Sequence, residues 1–205
     1  MKERIIFFTV GLLILTLGVA LIIKSNLGAS SWDALAVGES QMFGLSVGTF
    51  VFINGIVLIF INSFLLKKRP EILAAGSILL IGALIDFWLS IVQSPEALIL
   101  QIISLLAGIL TMGVGIAIYL QAKFPASPMD TLMVAIHTRF GLNLRTSRII
   151  SEGFALSLAF LFQGAIGIGT IIVTLTLGLV VQYSFPFFEQ LLKKWQHRMP
   201  KKAVS

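Results

Sequence analysis

Two short segments of this chain carry the same chemistry. Ser30-Ser31-Trp32-Asp33 and Ser127-Pro128-Met129-Asp130 each place an aspartate three residues after a serine. At a helix start, that serine oxygen accepts an N–H of the first turn. A carboxylate one turn on reaches back and complements the positive helix end. Pro128 suits the first helical position, where its missing N–H costs nothing. Capping alone explains the spacing. The functional alternative is that Asp33 and Asp130 also bind a proton, a cation or a substrate amine, because a carboxylate at a helix tip inside a bilayer is costly. Arg148 and Glu152 lie four residues apart on one helix face, at the spacing of a gate, a relay or a merely stabilising pair. The candidate substrate- or ion-binding residues are therefore Asp33, Asp130, Ser30, Ser127, Trp32 as an aromatic wall, Arg148 and Glu152.

Other chemistry is scarce. The chain has no cysteine, which excludes thiolate catalysis, disulfides and Cys-ligated metals. His137 and His197 have no acidic or histidine partner at ligand spacing, so neither a metal nor another cofactor is expected. No nucleophile elbow, phosphate loop or zinc-protease motif stands in a suitable context, and the chain is not expected to be an enzyme. Asp86, near the outer end of its apolar run, reads as interfacial. Asn54, Asn62, Gln163 and Gln182 either line a cavity or bond neighbouring helices.

The elements that must hold these residues are apolar. Of the 205 residues 57% are hydrophobic and only 12% charged, whereas a soluble domain keeps roughly a quarter charged. Apolar runs span Ile5–Ile23, Val47–Leu66, Ile72–Val92, Leu98–Leu120 and Ile166–Phe188. A shorter one at Ile149–Phe162 reaches full span only from Leu144. Runs of ~20 residues suit a bilayer. The first resembles a signal peptide but is too long for one, and reads as an uncleaved span. Residues 30–43 and 127–140 are too short and polar to cross, and read as half-helices, ended by Gly44 and Gly141. Ser46 and Asn143 are placed to cap the spans that follow.

Shifting the chain by 97 residues superimposes it on itself. Gly11 falls on Gly108, Gly18 on Gly115, Ala29-Ser30 on Ala126-Ser127, Asp33 on Asp130, and Phe43-Gly44-Leu45 on Phe140-Gly141-Leu142. Between Gly18 and Asn54 about a dozen residues are identical to their counterparts, the mark of an internal repeat. With the shift reduced by one, Gly82 meets Gly178 and Asp86 meets Gln182. The glycines seven apart read as packing residues that let helices approach closely.

The expected fold is an all-α membrane protein of six transmembrane helices in two inverted three-helix repeats, residues 1–97 and 98–205. Each carries a half-helix after its first span. Lys67-Lys68-Arg69, Lys123, Arg139, Arg145, Arg148 and the tail Lys193 to Lys202 then share one side with the N-terminus, and only Lys24 falls on the other. Basic loops stay in the cytoplasm, so both termini are expected inside. An odd number of spans per repeat turns the second copy upside down, and the half-helices enter from opposite faces. The net charge of +6 reads as loop topology and, in the tail, as an anchor on anionic lipid; nucleic acid is not an expected partner. Oligomeric state is left open, and a homo-oligomer is compatible with the sequence.

The pattern N-L-G-A-S-S-W-D-A-L followed by F-G-L-S-V-G-T, Asn26–Leu35 and Phe43–Thr49, resembles the signature of the YczE branch of the YitT/YczE-type bacterial membrane proteins. The resemblance covers essentially the whole chain and implies a small protein of the bacterial plasma membrane. It brings no known substrate, so no site residue carries over. The second copy departs from the pattern at Met129 and Arg145, where the first has Trp32 and Gly48. The expected function is a small-molecule or ion transporter working by alternating access between inverted halves. The alternative is a non-transporting accessory or scaffold protein acting through a partner.

Overall fold

Glycine spacing decides how the first helix of each half meets the other in the computed structural model, which describes residues 2–124 and 127–198. α1 (Lys2–Lys24) and α5 (Leu98–Leu120) cross in opposite directions. A Cβ on Gly11 would strike the Tyr119 backbone, one on Gly18 that of Met112, and one on Gly115 that of Leu15. Gly108 sits equally tightly against Ile22. These contacts exchange with one another under the 97-residue shift. Small residues here let two backbones approach where a side chain would hold them apart.

The short helices α2 (Ser31–Phe43) and α6 (Pro128–Phe140) follow. Each ends on a left-handed glycine, Gly44 at φ 74° and Gly141 at φ 68°. The next helices, α3 (Val47–Leu66) and α7 (Leu144–Leu161), are capped as expected, by Ser46 on the Thr49 N–H and Asn143 on the Thr146 N–H. One shared detail escaped the sequence reading. Ser40 Oγ donates to the Leu45 carbonyl at 2.6 Å, and the ring of His137, its counterpart, bonds the Leu142 carbonyl. His137 thus pins the end of a half-helix.

α2 lies on α3 and α7, and α6 lies on α7 and α3. The start of α2 is anchored by a turn between the last two helices, through Ala29 N–H to the Ala165 carbonyl (2.8 Å) and Gly169 N–H to the Leu27 carbonyl (2.7 Å). The start of α6 is held from α3, where Asn62 Nδ2 donates to the Pro128 carbonyl at 2.8 Å. Asn54 bonds Glu39 of α2 at 2.6 Å. These two asparagines therefore tie neighbouring helices.

The halves part company at their last helices. α4 (Ile72–Ile91) packs closely along α3, whereas α8 (Ile168–Arg198) packs on α5 and has no broad contact with α7. Between α3 and α4 a Cβ on Gly48 would strike the Gly82 carbonyl, and one on Gly55 would meet Ile78. Asp86 of α4 fastens the start of α3, accepting from Ser46 Oγ (2.6 Å) and the Gly48 N–H (2.7 Å). The sequence placed Asp86 near the helix end but not in this role.

Helix α8 runs past Phe188, where the apolar run stops, because Phe188, Leu191 and Leu192 pack on Phe7 and Ile118 and Trp195 sits edge-on to Phe7. Glu189 pairs with Lys193 at 2.7 Å. Lys201 and Lys202 of the expected lipid anchor lie outside the described residues, as does Ala126 of the repeat.

Among the described residues the fold is helical throughout, and five helices are long and apolar enough to cross a membrane: Glu3–Lys24, Val47–Leu66, Ile72–Ile91, Leu98–Leu120 and Ile168–Trp195. Their outward faces are bare hydrocarbon, with Phe64 84% exposed, which water would not tolerate at this density. α7, the sixth expected span, is not among the five. It has 18 residues and carries Arg145, Arg148 and Glu152.

Candidate functional site

The starts of the two half-helices face a common cavity of about 400 Å³ near the crossing of α1 and α5, within the usual range for small-molecule sites. All seven residues singled out in the sequence line it: Ser30, Trp32 and Asp33 from α2 and its cap, Ser127 and Asp130 from α6 and its cap, and Arg148 and Glu152 from α7. Residues more than a hundred positions apart thus meet, with α2 and α6 both held by α3 and α7.

The two serine–aspartate pairs behave differently. Ser30 Oγ lies 3.4 Å from the Asp33 N–H as a cap and donates to Asp33 Oδ2 at 2.5 Å. The Asp33 carboxylate therefore reaches the serine hydroxyl rather than the backbone. Ser127 makes no side-chain cap bond, contrary to expectation; its hydroxyl turns to the Met129 sulfur at 3.2 Å. With that partner gone, Asp130 faces the cavity, within electrostatic reach of Arg148 and Glu152. Its carboxylate has no hydrogen bond among the described residues. Glu152 also lies within electrostatic reach of Asp33, so this residue of α7 stands near the starts of both half-helices.

Arg148 and Glu152 both line the cavity but form no ion pair with each other among the described residues, despite their i, i+4 spacing. Arg148 instead points across the gap between α7 and α8, where its Nη1 stands 4.0 Å from the place a Cβ on Gly178 would occupy. Trp32 packs with the cores around Leu35 and around Leu132, bridging the two half-helix starts, and its counterpart Met129 joins the second of these.

Sequence reasoning missed Tyr119, Met112 and Met133, which complete the wall. Tyr119 is buried and within electrostatic reach of Asp130. The available signal was its place opposite Gly11, which becomes visible only once the antiparallel crossing is known. No three His, Cys, Asp or Glu side chains among the described residues gather closely enough to hold a metal ion.

Comparison with known proteins agrees with the resemblance read from the signature. The model of a family of unknown function, DUF6198, matches residues 2–186. The chain is 34% identical to the uncharacterized protein YyaS of Bacillus subtilis over 91% of this chain and 94% of that one. It is also 34% identical to the uncharacterized membrane protein YczE of the same organism, over 94% of this chain and 92% of the relative. An uncharacterized protein of Haemophilus influenzae is 32% identical over 90% of this chain and 82% of its own length. No solved structure matches.

Proposed function

We propose, for a chain that belongs to the YczE-type DUF6198 family of membrane proteins, a solute carrier of the bacterial plasma membrane that works by alternating access. The two halves act as inverted three-helix repeats, with α7 as a sixth, cavity-facing span and both termini in the cytoplasm. The observation that carries this reading is the shared cavity. It lies between the starts of the two half-helices, with one flanking helix pair shut (α3 and α4) and its counterpart apart (α7 and α8). An α1–α5 crossing whose contacts exchange under the repeat shift supports an axis lying in the membrane plane. Charged residues on α7 suit a span whose polar face lines a cavity rather than lipid. With the basic loops inside, the gap beside Arg148 opens to the cytoplasm.

Single cysteines test this without background. The equivalent exposed positions Gln41→Cys and Thr138→Cys should differ: the first labels with an impermeant maleimide on intact cells, the second only from the cytoplasmic side. Met133→Cys, in the cavity wall, should label from outside in intact cells and from inside in inverted vesicles. Equal labelling of Gln41→Cys and Thr138→Cys overturns the inverted repeats. One-sided labelling of Met133→Cys overturns alternating access and favours the accessory role.

A further inference from the structure

We infer that the solute is an amphipathic organic cation, taken up by the cavity in exchange for protons; the inference rests on the cavity being a substrate site. Among the described residues three carboxyl groups, Asp33, Asp130 and Glu152, face it against one guanidinium, that of Arg148. Each half-helix start adds about half a positive charge. Counting both ends, the ionised site still keeps an excess of about one negative charge. Asp33 and Glu152 are half-buried and Asp130 and Arg148 are exposed to the open cavity; between apolar walls such an excess attracts a cation or a proton.

The lining says which kind of cation. The three carboxyl groups do not gather at metal spacing, so they do not present the compact oxygen shell that a hard cation takes. They are spread along three elements, α2, α6 and α7, around a wall of Trp32, Tyr119, Met112, Met129 and Met133. An indole and a phenol attract an organic cation through their ring faces. Methionines mould to varied apolar shapes. A ligand with a positive centre and a hydrocarbon or aromatic body satisfies both the charge and the wall.

Exchange follows from the same inventory. The titratable and charged groups facing the cavity are Asp33 on α2, Asp130 on α6, Arg148 and Glu152 on α7, and Tyr119 on α5. When the cation leaves, protons are the small positive charge that water supplies to the carboxyl groups. When it enters, they depart. Binding is then weaker at low pH and releases protons.

Tetraphenylphosphonium and tetraphenylborate, alike in shape and opposite in charge, provide the test, by equilibrium dialysis against the purified full chain with a detergent blank. The phosphonium should be retained above the blank and the borate should not. Retention should weaken at least tenfold in Asp33→Asn and in Asp130→Asn, and fall as pH is lowered. The unaltered protein in weak buffer should release protons on binding, a reading that needs no variant to fold. Equal retention of both ions, retention of neither, or phosphonium binding indifferent to pH and to both variants overturns the inference. If Met133→Cys labels from both sides while no cation is held, the carrier stands and the cation class falls. Cation retention with one-sided labelling leaves the ligand class and removes the carrier.

Discussion

The α3–α4 pair and the α7–α8 pair occupy corresponding places under the sequence shift and pack in opposite ways. α3 presents Gly48 and Gly55, seven apart on one face, and α4 closes on them with the Gly82 backbone and Ile78. At the positions matching Gly48 and Gly55, α7 carries Arg145 and Glu152. Long charged side chains cannot serve as the floor of a close helix contact, which in a bilayer relies on small residues. So α8 leans on α5 instead, and the space goes to the cavity. The clamp changes too: Asp86, which fastens α3, corresponds to Gln182. Two substitutions on one helix face thus turn a sealed pair into the wall of a site.

The sharpest way to break this comparison is to fill one glycine in each pair, Gly48 on α3 and Gly178 on α8. Gly48→Leu drives a side chain into the Gly82 carbonyl, which is backbone and cannot swing away; a loss of about 3 kcal/mol or more is expected. Gly178→Leu meets only the Arg148 guanidinium and should stay within about 0.5 kcal/mol. Thermal unfolding of detergent-purified protein, followed as loss of the monodisperse peak, reads both. Equal losses would mean that α7 and α8 are as tightly joined as α3 and α4.

A smaller difference is expected at the clamp. Asp86→Ala removes two hydrogen bonds to a carboxylate and should cost about 1.5 kcal/mol, the low end for charged partners because Ser46 is exposed. Gln182→Ala should change little, about 0.5 kcal/mol at most. If the same unfolding assay finds Gln182→Ala as harmful as Asp86→Ala, the clamp is common to both halves and does not separate them.

Much of this architecture was legible from residue types. The helix stops at Gly44 and Gly141 and the caps at Ser46 and Asn143 follow from local backbone chemistry, which needs no tertiary knowledge. The seven candidate residues share a cavity; the repeated serine–aspartate spacing pointed to Ser30, Asp33, Ser127 and Asp130, and the i, i+4 charges within an apolar run pointed to Arg148 and Glu152. What was not legible depends on partners distant in sequence. Tyr119 joins the wall only through the α1–α5 crossing. Asp86 looked like an idle interfacial carboxylate until α3 was set beside it. The end of α8 looked like a charged tail because its apolar stripe, Phe188, Leu191, Leu192 and Trp195, is interrupted by Lys193 and Lys194. The contrast between Gly48 with Gly55 and Arg145 with Glu152 was present in the repeat alignment, but its meaning requires knowing which face of each helix meets the next.

The finest distinction lies between the two serines. Ser30 caps α2 and holds Asp33, so Ser30→Ala removes a cap and should cost about 1 kcal/mol. Ser127 caps nothing, and Ser127→Ala should stay within about 0.5 kcal/mol. The same unfolding assay, run on both variants beside the unaltered protein, separates these values if its error is a few tenths. A difference in the expected direction makes Asp33 partly a structural carboxylate and Asp130 the one left open to a ligand. Equal effects would put the two half-helices back on the same footing. The asymmetry of the site would then rest on α7 alone, through Arg148 and Glu152, whose counterparts in the first half are Val51 and Gly55.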